Sequence, residues 1–382
     1  MSHLIEETEI ICYLTNFPTP RMQKKIKIAA ECGKVTIIYW KRSAVAFKSG
    51  LSDSVLEIPV AASFVNNKGF CRIVAFMIFA LKSWSLLRRI QKVKKVYVNY
   101  LDVLLVACLR FGKKDIDFIY AVGDLASVQY GGHSLITGAV KYLEKMLMKR
   151  VSVLILSSPF FWSEYYDHVY QGRWELIENM PEKKIWGNFR SKQYRKPCVV
   201  GYIGWIRDCK PIQCLLAAVK ELREEGYDIQ IFFAGFGPDN EEVKRVAADL
   251  DFVSFYGHYQ YDTDAPNLYS RVDIIFSVYD ISVKNAKILL PNRFYECIIC
   301  GLPIIVAKET KLEAYMNKYG IGYSVDYLSA GDVKDALISH INCNVRAMQI
   351  KQALNSVDKS QFFYDRYYPV LADIFKINLK SG

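Results

Sequence analysis

The stretch CVVGYIGWIRDCKP, residues 198–211, decides the fold. It opens on a continuous apolar run, which is what a strand covered on both faces of a parallel sheet requires. Gly204 ends the run, a turn carries Trp205, Arg207 and Lys210, and a helix-period segment follows the proline. Comparable runs recur at IQIFFAG (229–235), FVSFYG (252–257), DIIFSV (273–278), PIIVA (303–307) and YSV (323–325). The first half shows the same alternation with EIICYLT (9–15), VTIIYW (35–40), VYVNY (96–100), DFIYAV (117–122), VSVLILS (151–157) and ELIEN (175–179). Strands alternating with helices predict an α/β chain of two doubly wound, Rossmann-like domains facing a cleft. The expected bounds are 1–186 for the first domain, 187–197 for a polar, basic linker, 198–345 for the second domain and 346–382 for a helical tail.

Length and charge agree with two domains of different character. The 382 residues carry 50 Lys and Arg against 39 Asp and Glu, a net charge of +11. Residues 1–190 hold 27 basic and 16 acidic residues and the remainder 23 of each, so the whole excess lies in the first half. That predicts a basic surface on one domain, facing something anionic. A hydrophobic fraction of 52% excludes global disorder. The ten cysteines follow no framework spacing, no cleavable leader precedes them, and no uncharged run is long enough to span a bilayer, so a cytoplasmic protein with free thiols is expected.

Two segments carry candidate chemistry. In GYIGWIRDCKP (201–211), Gly204 lets a diphosphate approach the backbone, while Arg207 and Lys210 supply positive charge for a leaving group. A plain strand-to-helix turn with solvated charges fits the same residues. In LLPNRFYECIICGLPIIV (289–306), Pro291 starts a helix, Glu296 lies near its beginning and Gly301 stops it. A carboxylate there either complements the helix dipole or, if it faces a cleft, accepts both hydroxyls of a ribose, with Arg293 beside the phosphates. Asp262 and Asp264 have a metal-like spacing but read as helix capping. Cys297 and Cys300 read as core thiols.

The spaced set of GYIGWIRDCK, FFAGFGP (232–238), FYGH (255–258), DIIFSV and PNRFYECIICGLPIIV resembles the nucleotide-sugar domain of the GT-B glycosyltransferases, in particular the large retaining family four of bacterial polysaccharide synthesis. TPRMQKKIKIAAECGKVTIIYWKR (19–42) and DFIYAVGDL (117–125) are similar to the first domain of those enzymes, and the tail to a C-terminal helix that crosses back onto it. The resemblance implies transfer of a sugar from a UDP- or GDP-sugar to a lipid-linked saccharide, with retention, no metal and no other cofactor. It implies that Glu296 binds the donor ribose, that Pro291, Asn292 and Arg293 form the loop at the diphosphate, that Gly235 and Gly237 border the nucleotide base, and that Lys210 stabilises the leaving diphosphate. Gly204, Trp205, His258 and Lys287 are further donor-site candidates, Arg207 and Asp124 are further catalytic candidates, Arg207 as a substitute cation and not a match, and Arg21 is placed on the acceptor side. Ile288 stands where the family has the first of two glutamates, Trp205 where it has an arginine, and Gly123 where it has a histidine.

The basic surplus has its own location. Between Ile58 and Leu101 there is no acidic residue, whereas Lys68, Arg72, Lys82, Arg88, Arg89, Lys92, Lys94 and Lys95 surround the apolar run IVAFMIFAL. On a helix, Lys68, Arg72, Lys82 and Arg89 fall on one face, as in an interfacial anchor on an anionic membrane. A core helix with a solvated face is the alternative. The expectation is therefore a peripheral enzyme at the inner face of a cell membrane that does not bind nucleic acid. A nucleotide-sugar epimerase of the same fold and a degenerate nucleotide-binding protein remain as competing readings.

Overall fold

The computed structural model describes residues 6–42, 51, 55–62, 70–112, 115–123, 134–189 and 196–377. Asp124, Lys68 and His133 lie outside the described residues. The chain forms two compact units, one of residues 1–178 with 367–382, the other of 179–366.

Along the first unit run β1 (Ile10–Leu14), α1 (Pro20–Cys32), β2 (Val35–Lys41), β3 (Leu56–Ala61), α2 (Phe70–Arg89), β4 (Lys95–Val98), α3 (Leu101–Phe111), β5 (Asp117–Val122), α4 (Ser134–Met148), β6 (Val151–Leu156), α5 (Pro159–Glu164) and β7 (Arg173–Leu176). Its described strands form one parallel sheet in the order β3-β2-β1-β4-β5-β6-β7. Every residue of β1 is fully buried, the burial that its unbroken apolar run predicts. β3 has no counterpart among the expected strands. It is an edge strand with Pro59 at its middle, and proline is tolerated at an edge because only one neighbour needs its ladder bonds.

The second unit contains α6 (Lys183–Trp186), β8 (Cys198–Ile203), α7 (Cys209–Glu224), β9 (Ile229–Ala234), α8 (Asn240–Val246), β10 (Val253–Gly257), α9 (Tyr261–Tyr269), β11 (Ile274–Ser277), α10 (Lys284–Ile288), α11 (Asn292–Cys300), β12 (Ile304–Ala307), α12 (Lys311–Tyr319), β13 (Gly322–Val325), α13 (Ala330–Ile341) and α14 (Val345–Ser356). Its described sheet has the order β10-β9-β8-β11-β12-β13. The last helix, α15 (Tyr368–Phe375), belongs to the first unit, where Phe375 meets Tyr97 at 6.1 Å and Tyr367 donates to Glu178 at 2.9 Å.

The expected boundaries therefore move. Residues 179–186, expected in the first domain, belong to the second unit, where Trp186 is buried against Tyr261 and Tyr269, 6.1 and 5.2 Å between ring centres. The return to the first unit begins at Tyr367, and α14 stays with the second. In each sheet the strand order reverses beside the first strand, between β1 and β4 and between β8 and β11. In open α/β sheets, ligands bind at the carboxyl ends of the strands flanking such a point.

Candidate nucleotide-sugar site

The turn after β8 sits at the reversal point of the second sheet. It is pinned to the turn after β9 by Gly204 N–H donating to Ala234 O at 2.8 Å and Ile206 N–H donating to Phe236 O at 3.0 Å. The two backbones touch, so that a Cβ on Gly235 would fall 1.9 Å from Gly204 O and one on Gly237 2.0 Å from Ile206 O. This close approach explains both glycines, whereas the resemblance assigned them to the edge of the nucleotide base. The consequence is a rigid frame that presents Trp205 and Phe236 outward. Both are about half exposed; their rings meet edge to face at 4.9 Å, and the His258 ring lies 5.1 Å beyond Phe236.

Arg293 is the central cation of this end of the sheet. It is only 5% exposed, yet no carboxylate faces it among the described residues; its guanidinium carbon lies 4.1 Å over the Tyr202 ring and 5.8 Å from that of Tyr279. Nη2 donates to Trp205 O at 3.4 Å, and Nη1 is buried without a hydrogen-bond partner. Burial works against the charge, but Tyr279, Tyr202 and Tyr269 outweigh it and hold the pKa above the usual arginine value. Arg293 is thus a fixed cation whose remaining donor has no protein acceptor. It packs on Gly204, where an added Cβ would stand 3.1 Å from Nη2.

Arg207 and Lys210 lie in the same turn with more solvent around them. Arg207 Nε is 3.6 Å from Asp208 Oδ2 and its guanidinium stacks 4.9 Å over Tyr279. Lys210 is exposed and acts through space on Asp280. Pro291 caps α11, and Asn292 on its first turn is hydrogen-bonded to Asn179. Lys287 is exposed on α10, while Ile288 is buried.

Glu296 is a buried residue of α11. It is 3% exposed, and its two carboxylate oxygens accept hydrogen bonds from tyrosines of α9: Oε1 from Tyr261 at 2.6 Å and Oε2 from Tyr269. A buried carboxylate needs such donors, and each oxygen has a second acceptor lone pair besides the one the phenol takes. The signal that sequence reading passed over was the tyrosine content, 26 in this chain. Asp264 accepts from Gln260 N–H at 2.9 Å at the start of α9, the capping that was expected of it. Cys297 and Cys300 are buried, and burial pushes both thiols well up. Among the described residues no three His, Cys, Asp or Glu side chains gather in a metal-binding group.

On the first unit, α2 turns Ala75, Phe79, Ser83 and Leu87 inward. Its outward face is an apolar stripe of Ile73, Met77 and Leu81, each more than half exposed, with Lys82, Arg88 and Arg89 exposed beside it. This differs from the expected basic face, because Arg72 is half-buried and Lys82 bends to donate to Ala61 O at 3.0 Å. Lys92 and Lys94 are exposed. Lys95 is not available to a membrane: it is buried on β4 and bonded to Asp117 at 2.9 Å. Arg21 is half-buried on α1. No described helix is long and apolar enough to cross a membrane.

Residues 197–342 match the family described as Glycosyl transferases group 1. No curated protein matches the chain. Solved structures share its fold over nearly the full length. A sucrose-phosphate synthase from Thermosynechococcus elongatus has a TM-score of 0.74 at 15% identity, covering 96% of this chain and 98% of its own. HepE of Anabaena, in complex with UDP and glucose, has 0.70 at 13%, covering 96% and 99%. WaaG, a glycosyltransferase involved in lipopolysaccharide biosynthesis, has 0.66 at 13%, covering 98% and 100%. The chain therefore has the GT-B glycosyltransferase fold, and within it residues 197–342 match the group 1 glycosyltransferases.

Proposed function

We propose that the enzyme transfers a sugar from a UDP- or GDP-sugar to a lipid-linked saccharide in surface polysaccharide synthesis, with retention and without metal. The observation that carries this reading is Arg293, a buried cation with an unpartnered donor at the reversal point of the sheet. In the reaction the bond between the anomeric carbon and the diphosphate oxygen breaks, a bond to the acceptor hydroxyl oxygen forms, and the proton of that hydroxyl passes to the departing diphosphate oxygen. Negative charge grows on the departing diphosphate. A preorganised cation in a water-poor setting stabilises that charge more in the transition state than in the ground state. Arg207 and Lys210 reinforce the field from the solvent side. The exposed Trp205 and Phe236 rings suit the π-face of a nucleobase. UDP bound to HepE supports a uridine donor for this chain.

The stripe on α2 supports a membrane-side acceptor. An apolar strip flanked by cations, in a stretch without acids, complements an anionic leaflet in both hydrophobicity and charge. The test is thermal shift of the full chain with UDP, GDP and their sugars, followed by transfer assays with polyprenyl-linked saccharides. Stabilisation by a nucleotide and product only in the presence of acceptor are expected. Product without acceptor would instead identify an epimerase.

A further inference from the structure

The helices α2, α3 and α4 cover one face of the first sheet. Their connections all advance along it toward β7, and right-handed crossovers that advance in one direction put their helices on one side. Arginines tie the three together at their carboxyl ends, where the helix dipole favours cations. Arg110 of α3 donates from Nε to Leu87 O at 3.1 Å and from Nη2 to Arg88 O and Ile90 O at 3.4 Å each, and Arg150, just after α4, donates to Gly112 O, just after α3. The face is therefore one braced surface, and these two cations are committed within it.

Hydrophobic exposure in the first unit is gathered on this face. Seven large apolar side chains stand exposed among the described residues of the unit, and six of them are here: Ile73, Met77 and Leu81 on α2, Leu109 on α3, and Tyr142 and Met146 on α4, the seventh being Tyr368. Singly scattered apolar residues would need no explanation, whereas a gathered set marks a contact surface. On α4 the charge follows suit. Lys141, Lys145 and, just beyond the helix, Lys149 are exposed at a spacing of four residues, with Tyr142 and Met146 in the adjoining row. Acids at the same spacing would relieve the repulsion within such a lysine row. The single acid of α4 does not do so: Glu144 is 0% exposed and accepts from Tyr165 and Tyr166 at 2.6 Å each. The row thus has no counter-charge on its own helix.

A nucleic acid or an acidic protein would answer the lysines and leave the apolar side chains against a polar surface. An anionic bilayer answers both, and tyrosine beside such a row suits the headgroup level. We propose that α4 is a second lipid-contacting helix, with Lys141, Lys145 and Lys149 on anionic headgroups and Tyr142 and Met146 at the acyl boundary, so that the first unit docks through the whole three-helix face. The assignment rests on the membrane reading of α2 and extends it to a part of the chain outside the basic stretch of residues 58–101.

The experiment is co-sedimentation of the full chain with vesicles of phosphatidylserine in phosphatidylcholine, and with phosphatidylcholine alone, at about 0.1 M salt. The parent binds the anionic vesicles and binds the neutral ones far less. Lys141→Gln, Lys145→Gln and Lys149→Gln together weaken binding to anionic vesicles by about fivefold per lysine, on the order of 100-fold in all, whereas arginine at the same three positions retains it. Tyr142→Ser with Met146→Ser weakens it by roughly tenfold or more. The positions are exposed, so every variant melts with the parent and binds UDP as the parent does. The proposal is overturned if the glutamine or the serine variant binds vesicles like the parent, if arginine fails to retain binding, or if neutral vesicles bind as well as anionic ones. Normal binding by the α4 variants with loss in Met77→Glu, Leu81→Glu would leave the α2 reading standing and this one refuted; a parent that binds no vesicle would refute both.

Discussion

Tyr269 and Glu296, 27 residues apart in the chain, share a buried hydrogen bond that ties α9 to α11. Tyr261 holds the other carboxylate oxygen at 2.6 Å, so the acid that by position would read a ribose is enclosed by two phenols. Two more buried glutamates are held in the same way. Glu144 accepts from Tyr165 and Tyr166 at 2.6 Å each, and Glu178 from Tyr367 at 2.9 Å. The tyrosine-rich composition supplies long donors that reach carboxylates inside the core.

Tyr269→Phe leaves a buried carboxylate oxygen short of a donor and is expected to lower stability by about 1–3 kcal/mol. Glu296→Ala strands both hydroxyls and opens a cavity, so it should cost at least as much, with no nucleotide present. Urea denaturation of the free protein checks this. A Glu296→Ala protein as stable as the parent would leave the carboxylate with a ligand-binding role alone.

Arg293 separates ligand binding from stability. Its tyrosine surroundings more than offset the cost of burying the charge, so Arg293→Met, which keeps the aliphatic stem on Tyr202, should melt modestly below the parent temperature. Its affinity for UDP should fall by at least about tenfold through loss of a charge-assisted contact. Thermal shift without and with nucleotide measures both. A large destabilisation with normal UDP affinity would make Arg293 a structural residue.

The strand pattern was legible because unbroken apolar runs such as IICYL and IIVA have few other uses than a covered parallel strand. DFIYAV forms β5 over the residues that its composition marks. β3 was not legible, since Pro59 and an edge position weaken the pattern that central strands display. The site was readable as a location, because turns after first strands are where open sheets bind ligands. It was not readable as orientation. Whether Glu296 faces a ligand or a tyrosine depends on where α9 packs, and whether Lys95 faces solvent or Asp117 depends on the neighbouring strand. Gly123 could be noticed as a missing side chain, but not that Arg21 fills its space.

The cations of residues 58–101 divide by what surrounds them, and the division is measurable. Lys92→Gln with Lys94→Gln should weaken binding to anionic vesicles by roughly 1 kcal/mol per charge at moderate salt, and Met77→Glu with Leu81→Glu should nearly abolish it. Neither pair should change UDP affinity. Lys95→Gln breaks the pair with Asp117 and lowers the melting temperature with little effect on vesicle binding. Equal vesicle affinities for all three proteins would remove α2 as the contact surface.

His340 gives the second unit a pH dependence of defined sign. Burial lowers its pKa to about 4, its Nε2 has no hydrogen-bond partner, and the Tyr323 ring lies 6.5 Å away. In the unfolded chain the imidazole titrates near its ordinary value of about 6.5. Between those two values the unfolded state binds the extra proton, so stability rises with pH across the window. The contribution is fully present above about pH 6.5 and is lost as the pH falls toward about 4, by roughly 2–3 kcal/mol. Denaturant midpoints taken from pH 7 to pH 4.5 should drop more steeply in the parent than in His340→Phe, which has no proton to gain. Parallel curves for the two proteins would show that His340 binds its proton equally well in the folded and unfolded states and that the acid sensitivity arises elsewhere.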